Sequence, residues 1–395
     1  MQPGYARNAL VLGLLSAMGP FAIDMYLPAM PTIAADLNAS IAGTQASLMV
    51  FLGAVALCQI VYGPVSDMVG RRPPLYFGIV LFIIGSIGCA LAPTIEVLIG
   101  FRFVQGIGAC AGMIVPRAIV RDLHTGPDAA RLMALIMLVF SVAPVLAPLT
   151  GSGLIVIAGW RSVFVAIALV GVAALALVAF ALPETRPPEQ RVAASFGSVI
   201  KGYLTLLRDL RFLGVSLIGG LGIASFFTFI ASASFVYIDH FGLTPTQFSF
   251  AFSCNAIGFI GSAQLSGLLA RRFGFARVIR TAVLGYAVIA VALFCVTLAG
   301  VDRLPVLIAM LFLSFSCLGL VIPSTAVLAL DRHGPIAGMA SALMGTIQMV
   351  CGSLAVLLVS AFFDGTSLPM VAAIAVCAAL AFILSRVVLS PGQTI

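Results

Sequence analysis

The chain has 395 residues, of which 62% are hydrophobic and only 8% charged. A soluble domain carries about 25% charged residues, so a water-facing shell cannot be built from this chain and a soluble fold is excluded. The net charge of +7 is explained by arginines in loops, and no nucleic-acid partner is needed to account for it.

A helix of about 20 apolar residues crosses about 30 Å of hydrocarbon. Twelve such helices are predicted, at residues 8–29, 44–66, 75–93, 97–118, 132–154, 161–182, 212–237, 247–270, 277–299, 304–328, 337–361 and 368–389. Barrel strands would need alternating polar residues, which these segments lack. The first span is expected to be kept, because no small-residue cleavage site precedes Asp24. With the amino terminus inside, 17 of the 20 Lys and Arg residues face the cytoplasm, so both termini are expected there. Arg102, Arg161 and Arg303 are the exceptions.

Span 1 contains Gly19-Pro20-Phe21-Ala22-Ile23-Asp24-Met25-Tyr26-Leu27-Pro28-Ala29-Met30-Pro31. A central carboxylate costs about 2.5–3.5 kcal/mol on insertion scales. Asp24 is therefore the candidate proton or substrate site, and Tyr26 a candidate cargo contact. The competing reading puts Asp24 at the outer headgroups, since Pro28 and Pro31 follow closely.

Between spans 2 and 3 runs Gly63-Pro64-Val65-Ser66-Asp67-Met68-Val69-Gly70-Arg71-Arg72-Pro73. The glycines are expected to allow a tight turn and close helix approach. Asp67 suits a helix end and pairing with cations, with Arg121 as the expected partner. Arg71 and Arg72 are expected to hold the loop at the lipid headgroups.

Span 4 reads Phe101-Arg102-Phe103-Val104-Gln105-Gly106-Ile107-Gly108. Arg102 keeps its charge in any protein setting, so it can pair with Asp24 or release it on protonation. The alternative is snorkelling to the outer interface. Gln105 is a candidate cargo contact, and the glycines favour close packing. Span 5 carries Pro144 and Pro148 among small residues, which predicts kinks; Pro144 joins the cargo candidates.

The long loop after span 6 begins Pro183-Glu184-Thr185-Arg186-Pro187-Pro188 and divides the chain. The expected division is 1–185, a linker at 186–210 with an amphipathic stretch near 199–207, and 211–395. The halves repeat weakly. Gly126-Pro127-Asp128-Ala129 returns as Gly334-Pro335-Ile336-Ala337, Ile114-Val115-Pro116 as Val321-Ile322-Pro323, and Gly63-x3-Asp67-x2-Gly70 as Gly267-x3-Arg271-x2-Gly274. Three echoes at nearly one offset favour duplication. In the second half Phe226, Ser232, Asn255, Met344 and Gln348 suggest an adaptable apolar pocket, against a plain packing role for each.

The eight cysteines all fall inside spans and form no CxxC pair, so they read as small apolar filler. Neither a Gly-x4-Gly-Lys-Ser/Thr loop nor a His-Glu-x2-His motif occurs. No cofactor, no metal and no enzymatic activity are expected.

The Asp67 loop, the Arg-x2-Gln-Gly-x-Gly run of span 4 and the Pro144 region resemble motifs of the major facilitator superfamily. With Ile23-Asp24-Met25-Tyr26-Leu27-Pro28 and Arg121-Asp122-Leu123-His124, the chain is similar to its bicyclomycin- and chloramphenicol/florfenicol-resistance (Bcr/CflA) branch. The span 5 antiporter motif is altered, with Ala147-Pro148 in place of a glycine pair. The resemblance implies an all-α membrane fold of twelve helices in two pseudo-symmetric six-helix bundles, with the cargo site between them. It implies a gate built on Gly63, Asp67, Gly70, Arg71, Arg72 and Arg121, and proton coupling through Asp24 and Arg102. The implied function is proton-coupled drug export by a monomer in the bacterial inner membrane, with small apolar or amphipathic cargo. The alternative cargo is an endogenous metabolite such as an amino-acid derivative, a sugar or a siderophore.

Overall fold

The computed structural model describes residues 5–124, 126–190, 196–333 and 336–389, and these are helical with short connections. Among the described residues, eleven segments are long and apolar enough to cross a membrane. The sixth helix, α6 (Gly126–Ala158), is a further long one, apolar from Val142 to Ala158.

The first unit comprises residues 1–199. Span 1 is not one helix there but α1 (Tyr5–Asp24), a 3-10 turn (Leu27–Ala29) and α2 (Met30–Asp36). Then come α3 (Ile41–Val69), α4 (Arg72–Ala90), α5 (Ile95–Leu123), α6 and α7 (Arg161–Ala181). Helix α1 packs on α5, α6 and α7, while α5 takes α3 and α4, and α4 takes α7.

The second unit, residues 200–395, repeats this plan. Helix α8 (Phe196–Arg208) leads into α9 (Leu210–Ser234), which ends in a π-helical stretch, Phe235–His240. Then follow α10 (Pro245–Phe273), α11 (Phe275–Leu298), α12 (Leu304–Leu330), α13 (Ala337–Phe362) and α14 (Leu368–Val388). Helix α9 packs on α12, α13 and α14; α12 takes α10 and α11; α11 takes α14. The amphipathic stretch of the linker is α8, and its Leu206 and Tyr203 join the core of this unit beside Phe212 and Met339.

Equivalent helices start and stop by equivalent chemistry. Ser40 caps α3 by accepting from Gly43 N at 3.0 Å. Thr244 caps α10 by accepting from Gln247 N at 3.2 Å, while Gln247 Oε1 accepts from Thr244 N at 2.9 Å, a capping box. Both helices end on a glycine with positive φ, Gly70 at 98° and Gly274 at 81°, a backbone that side chains resist. Pro116 and Pro323 sit inside the matching helices α5 and α12. In the remaining echo, Gly334 and Pro335 lie outside the described residues.

The Asp67 motif is less of a loop than its glycines suggested. Helix α3 runs through Pro64 to Val69, so only Gly70 and Arg71 separate it from α4. Gly63 is helical, and a Cβ there would meet nothing within 4 Å. Close approach is real at Gly108, where a Cβ would lie 2.4 Å from Gly78 O and from Phe82 N of α4. Gly108→Ala is accordingly expected to cost about 1–3 kcal/mol as overpacking, whereas Gly63→Ala is neutral or gains about 0.5–1 kcal/mol of helix propensity. Thermal unfolding of both variants in one detergent checks the contrast.

Asp209 starts α9 by accepting from Arg211 N (2.9 Å) and Phe212 N (3.1 Å), and its other oxygen meets His333 Nε2 at 3.1 Å. Burial alone would raise its pKa, but the two backbone donors and His333 bring it below the usual value. A carboxylate held low stabilises above its unfolded pKa of about 3.9, and that contribution is lost as pH falls through the folded value. Asp209→Ala is expected to cost about 1 kcal/mol at neutral pH. Its Tm deficit against wild type should persist down to about pH 4 and shrink as the pH is lowered further.

Candidate functional site

The break in span 1 follows from two prolines. Pro28 and Pro31 offer no backbone N–H to Asp24 O and Leu27 O, and their rings crowd those carbonyls. The chain leaves the α-helix at Asp24, with Met25 N still bonded to Phe21 O at 3.1 Å and Ala29 N turning back to Tyr26 O at 3.0 Å. Ala22 O is taken instead by Arg102 Nη1 of α5, at 3.1 Å. Arg102 thus caps the carboxy-terminal end of α1, where the helix dipole favours a cation.

Arg102 has no solvent exposure. Its Nη1 also donates to Gln105 Oε1 at 2.5 Å. Gln105 Nε2 donates to Ser86 Oγ at 2.8 Å, and Ser86 donates to Phe82 O at 2.6 Å. The guanidinium lies over the rings of Phe51 (4.3 Å) and Tyr26 (4.8 Å), whose π faces attract a desolvated cation. Ser47 spends its hydroxyl hydrogen on Thr44 O at 2.7 Å, so Tyr26 is the donor in its 2.7 Å bond to Ser47.

Asp24 is 4% exposed, which removes the reading that put it among solvated headgroups. The full burial of Arg102 likewise removes snorkelling. The expected Asp24–Arg102 salt bridge is not formed among the described residues. Arg102 Nη1 is instead shared between Ala22 O and Gln105 Oε1, while Nε and Nη2 are buried without a hydrogen-bond partner beneath the two rings.

At the other end of the unit lies a second, charged cluster. Arg71 is 2% exposed and forks onto Asp122, with Nε 2.6 Å from Oδ2 and Nη2 3.1 Å from Oδ1. Its Nη1 meets Asp67 at 2.7 Å and donates to Ser66 Oγ at 2.8 Å. Arg186 also pairs with Asp67 at 3.0 Å. Glu184 caps α4, accepting from Arg71 N at 2.9 Å and Arg72 N at 3.0 Å. Arg72 Nη2 donates to Tyr76 OH at 2.6 Å and to Ala179 O of α7 at 3.2 Å.

Two expectations are corrected here. Asp67 is held by Arg71 and Arg186, and Arg121 is exposed; the α5 residue that joins the cluster is its neighbour Asp122. Arg71 and Arg72 turn inward rather than holding the loop at the headgroups: Arg71 binds carboxylates, and Arg72 Nη2 binds Tyr76 OH and carbonyls at the end of α7. Glu184 and Arg186, in the loop after span 6, are not among the residues the sequence marks for a gate. Their one sequence signal was an acid and a base beside prolines just past span 6.

The cargo candidates separate into different surroundings. Tyr26 and Gln105 belong to the Arg102 cluster. Pro144 lies inside α6 with Pro148. Phe226 stacks on Phe259 (5.1 Å) and meets Phe315 edge-on (5.7 Å). Phe229 extends this group to Phe252 (5.5 Å) and Tyr237 (6.1 Å), and Asn255 Nδ2 donates to Tyr237 OH at 3.3 Å. Phe226 and Asn255 therefore share one aromatic cluster of α9, α10 and α12. Ser232 is buried on α9. Gln348 of α13 faces α9, with its Nε2 3.1 Å from where a Cβ on Gly219 would stand. Met344 sits elsewhere, in the aliphatic core with Phe212, Ile279 and Val321, so its role is packing.

A profile described as Major Facilitator Superfamily matches residues 12–356. The chain belongs to this superfamily. As a major facilitator it is a multi-pass membrane transporter, and its relatives are transporters rather than enzymes. YdgK of Bacillus subtilis, named an uncharacterised transporter of the same type, is 36% identical over 364 residues, covering 92% of this chain and 90% of that one. A bicyclomycin resistance protein homolog of Haemophilus influenzae is 30% identical over 369 residues, covering 93% and 92%. The crystal structure of a mutant nucleoside transporter, NupG, superposes with a TM-score of 0.76 at 13% identity, covering 98% of this chain and 100% of that one, a likeness of fold alone.

Removing the central cation of the charged cluster leaves Arg186 alone to hold Asp67 (3.0 Å) and Asp122 (3.7 Å). Arg71→Gln is expected to cost about 3 kcal/mol, the low end for a broken buried pair, because Asp67 keeps 42% exposure. Arg121→Gln should change stability by less than about 0.5 kcal/mol. Melting curves of the two variants against wild type check the assignment of Arg71 over Arg121.

Proposed function

We propose that this transporter is a proton-coupled exporter of small apolar or amphipathic molecules, drugs among them. It works by alternating access as a monomer in a bacterial inner membrane, with both termini in the cytoplasm. The observation that carries this reading is Asp24, a buried carboxylate at the break of span 1 that lacks the salt bridge Arg102 could have given it. A buried carboxylate without a countercharge exchanges protons rather than keeping a fixed charge. Arg102 stays positive throughout and favours loss of that proton once the site opens to the low-proton side.

The energetics suffice with one proton per cycle. Inward proton movement releases about 2.3 kcal/mol per 100 mV, and each pH unit adds about 1.4 kcal/mol. The total, about 3.7 kcal/mol, supports a roughly 500-fold gradient of a neutral solute. The bicyclomycin-resistance relative supports drug cargo, and the bias of arginines supports the orientation. In this reading Phe226, Asn255 and Tyr26 touch cargo, and the Asp67–Arg71–Asp122–Arg186 cluster is the inner gate that closes and reopens in each cycle.

The test uses bicyclomycin uptake into inverted vesicles with an acidic lumen. Wild type should accumulate it and lose accumulation when the gradient is collapsed. Asp24→Asn, inserted to the same level, should only equilibrate it. Gradient-driven accumulation by Asp24→Asn would sink the assignment.

A further inference from the structure

Because span 1 is cut at Asp24, its outer piece is not steered by a continuous helical ladder. Helix α7 grips that piece at both ends. At the far end Asp36, the last residue of α2, accepts from the Trp160 indole N–H at 2.9 Å and from Arg161 Nη1 at 2.7 Å. Arg161 also donates to Ala92 O, just past α4, at 3.4 Å, and its guanidinium lies 4.2 Å from the Trp160 ring. At the near end Phe164, one turn along α7, packs on Tyr26 at 5.6 Å. Trp160 and Phe164 meet edge to face at 6.1 Å. Tyr26 in turn lies under Arg102. Helix α6 closes the remaining side of the elbow, where a Cβ on Gly151 would stand 2.3 Å from Met25 O.

The Asp36–Arg161 pair is nearly half exposed, and such pairs contribute only about 0–1 kcal/mol. Stability is therefore a poor account of the arrangement. What it does well is fix geometry. One carboxylate receives donors from two consecutive residues, one a rigid, buried indole.

We infer that Asp36, Trp160 and Arg161 are positioning residues for the Asp24–Arg102 site. They make the outer piece of span 1 and the start of α7 one body, and the line Trp160–Phe164–Tyr26 carries its position to the Arg102 guanidinium. The inference rests on the reading of Asp24 as the proton-coupling group. Each link is a packed contact between groups with few alternative placements, which is what coupling between a surface and a buried site needs.

Trp160 is the chain's only tryptophan, so its emission reports this contact directly. The experiment uses the full chain in liposomes. Wild-type emission should change with pH at the midpoint seen for bicyclomycin uptake. Asp24→Asn should flatten that change, while Asp36→Asn, which keeps an acceptor oxygen, should retain it and so exclude titration of Asp36 as its source. Asp36→Ala should lower gradient-driven uptake about three- to tenfold and move its pH midpoint. The inference is overturned if emission ignores pH while Asp24→Asn is uncoupled, or if Asp36→Ala only lowers folded yield and keeps the wild-type midpoint. If Asp24→Asn still accumulates drug, the coupling reading itself has failed and this inference falls with it.

Discussion

In hydrocarbon, a backbone carbonyl that loses its helical donor must find another donor within the protein. The end of α1 at Asp24 creates that need at Ala22, whose carbonyl a continued helix would have bonded to Tyr26 N, and Arg102 answers it. Much of the first unit is arranged so that this answer is possible. Gly108 lets α5 lie against α4, Gln105 and Ser86 fix the guanidinium from one side, and the rings of Tyr26 and Phe51 cover its faces. The carbonyl and the amide both bond Nη1, and the rest of the guanidinium is buried against rings with no carboxylate bonded to it. Asp24 is thereby left buried and unneutralised, and this gives it chemistry that an ion-paired aspartate would lack.

The two charged regions of the first unit use arginine in opposite ways. Arg71 is a hub among carboxylates, forked onto Asp122 and shared with Asp67. Its planar donors suit that bidentate role. Arg102 is held by neutral groups and keeps its full field. The first arrangement ties helix ends to one another, and the second leaves a buried cation with no carboxylate bonded to it.

Duplication preserved the scaffold and not the chemistry. The packing partners of α1 and α9 correspond, as do the caps and glycine ends of α3 and α10. Yet Arg271 stands where the first unit has Asp67, and the outer end of span 7 is a π-helical stretch rather than a broken helix. The interior of the second unit is aromatic and hydroxyl-lined, around Phe226, Phe229, Tyr237 and Asn255. Helix packing depends on small residues and shape, which both copies kept. Charges act singly, so they could diverge without disturbing the packing.

Sequence alone determined the membrane-spanning helices, the repeat and the residues worth watching, because these follow from the environment of each segment taken by itself. An apolar run of a given length, a glycine at a helix end and a carboxylate in a span carry their meaning without neighbours. Partners were another matter. Arg121 and Asp122 are adjacent in sequence but about 100° apart around α5, so which of them meets the Asp67 cluster depends on how the helix is rotated in the bundle. Glu184 reaches Arg71 across 113 positions of chain and Trp160 reaches Asp36 across 124, and no local pattern encodes contacts of that range. Pro28 and Pro31 marked the break in span 1, but that it would turn Ala22 O toward Arg102 on another helix depended on how α1 and α5 pack.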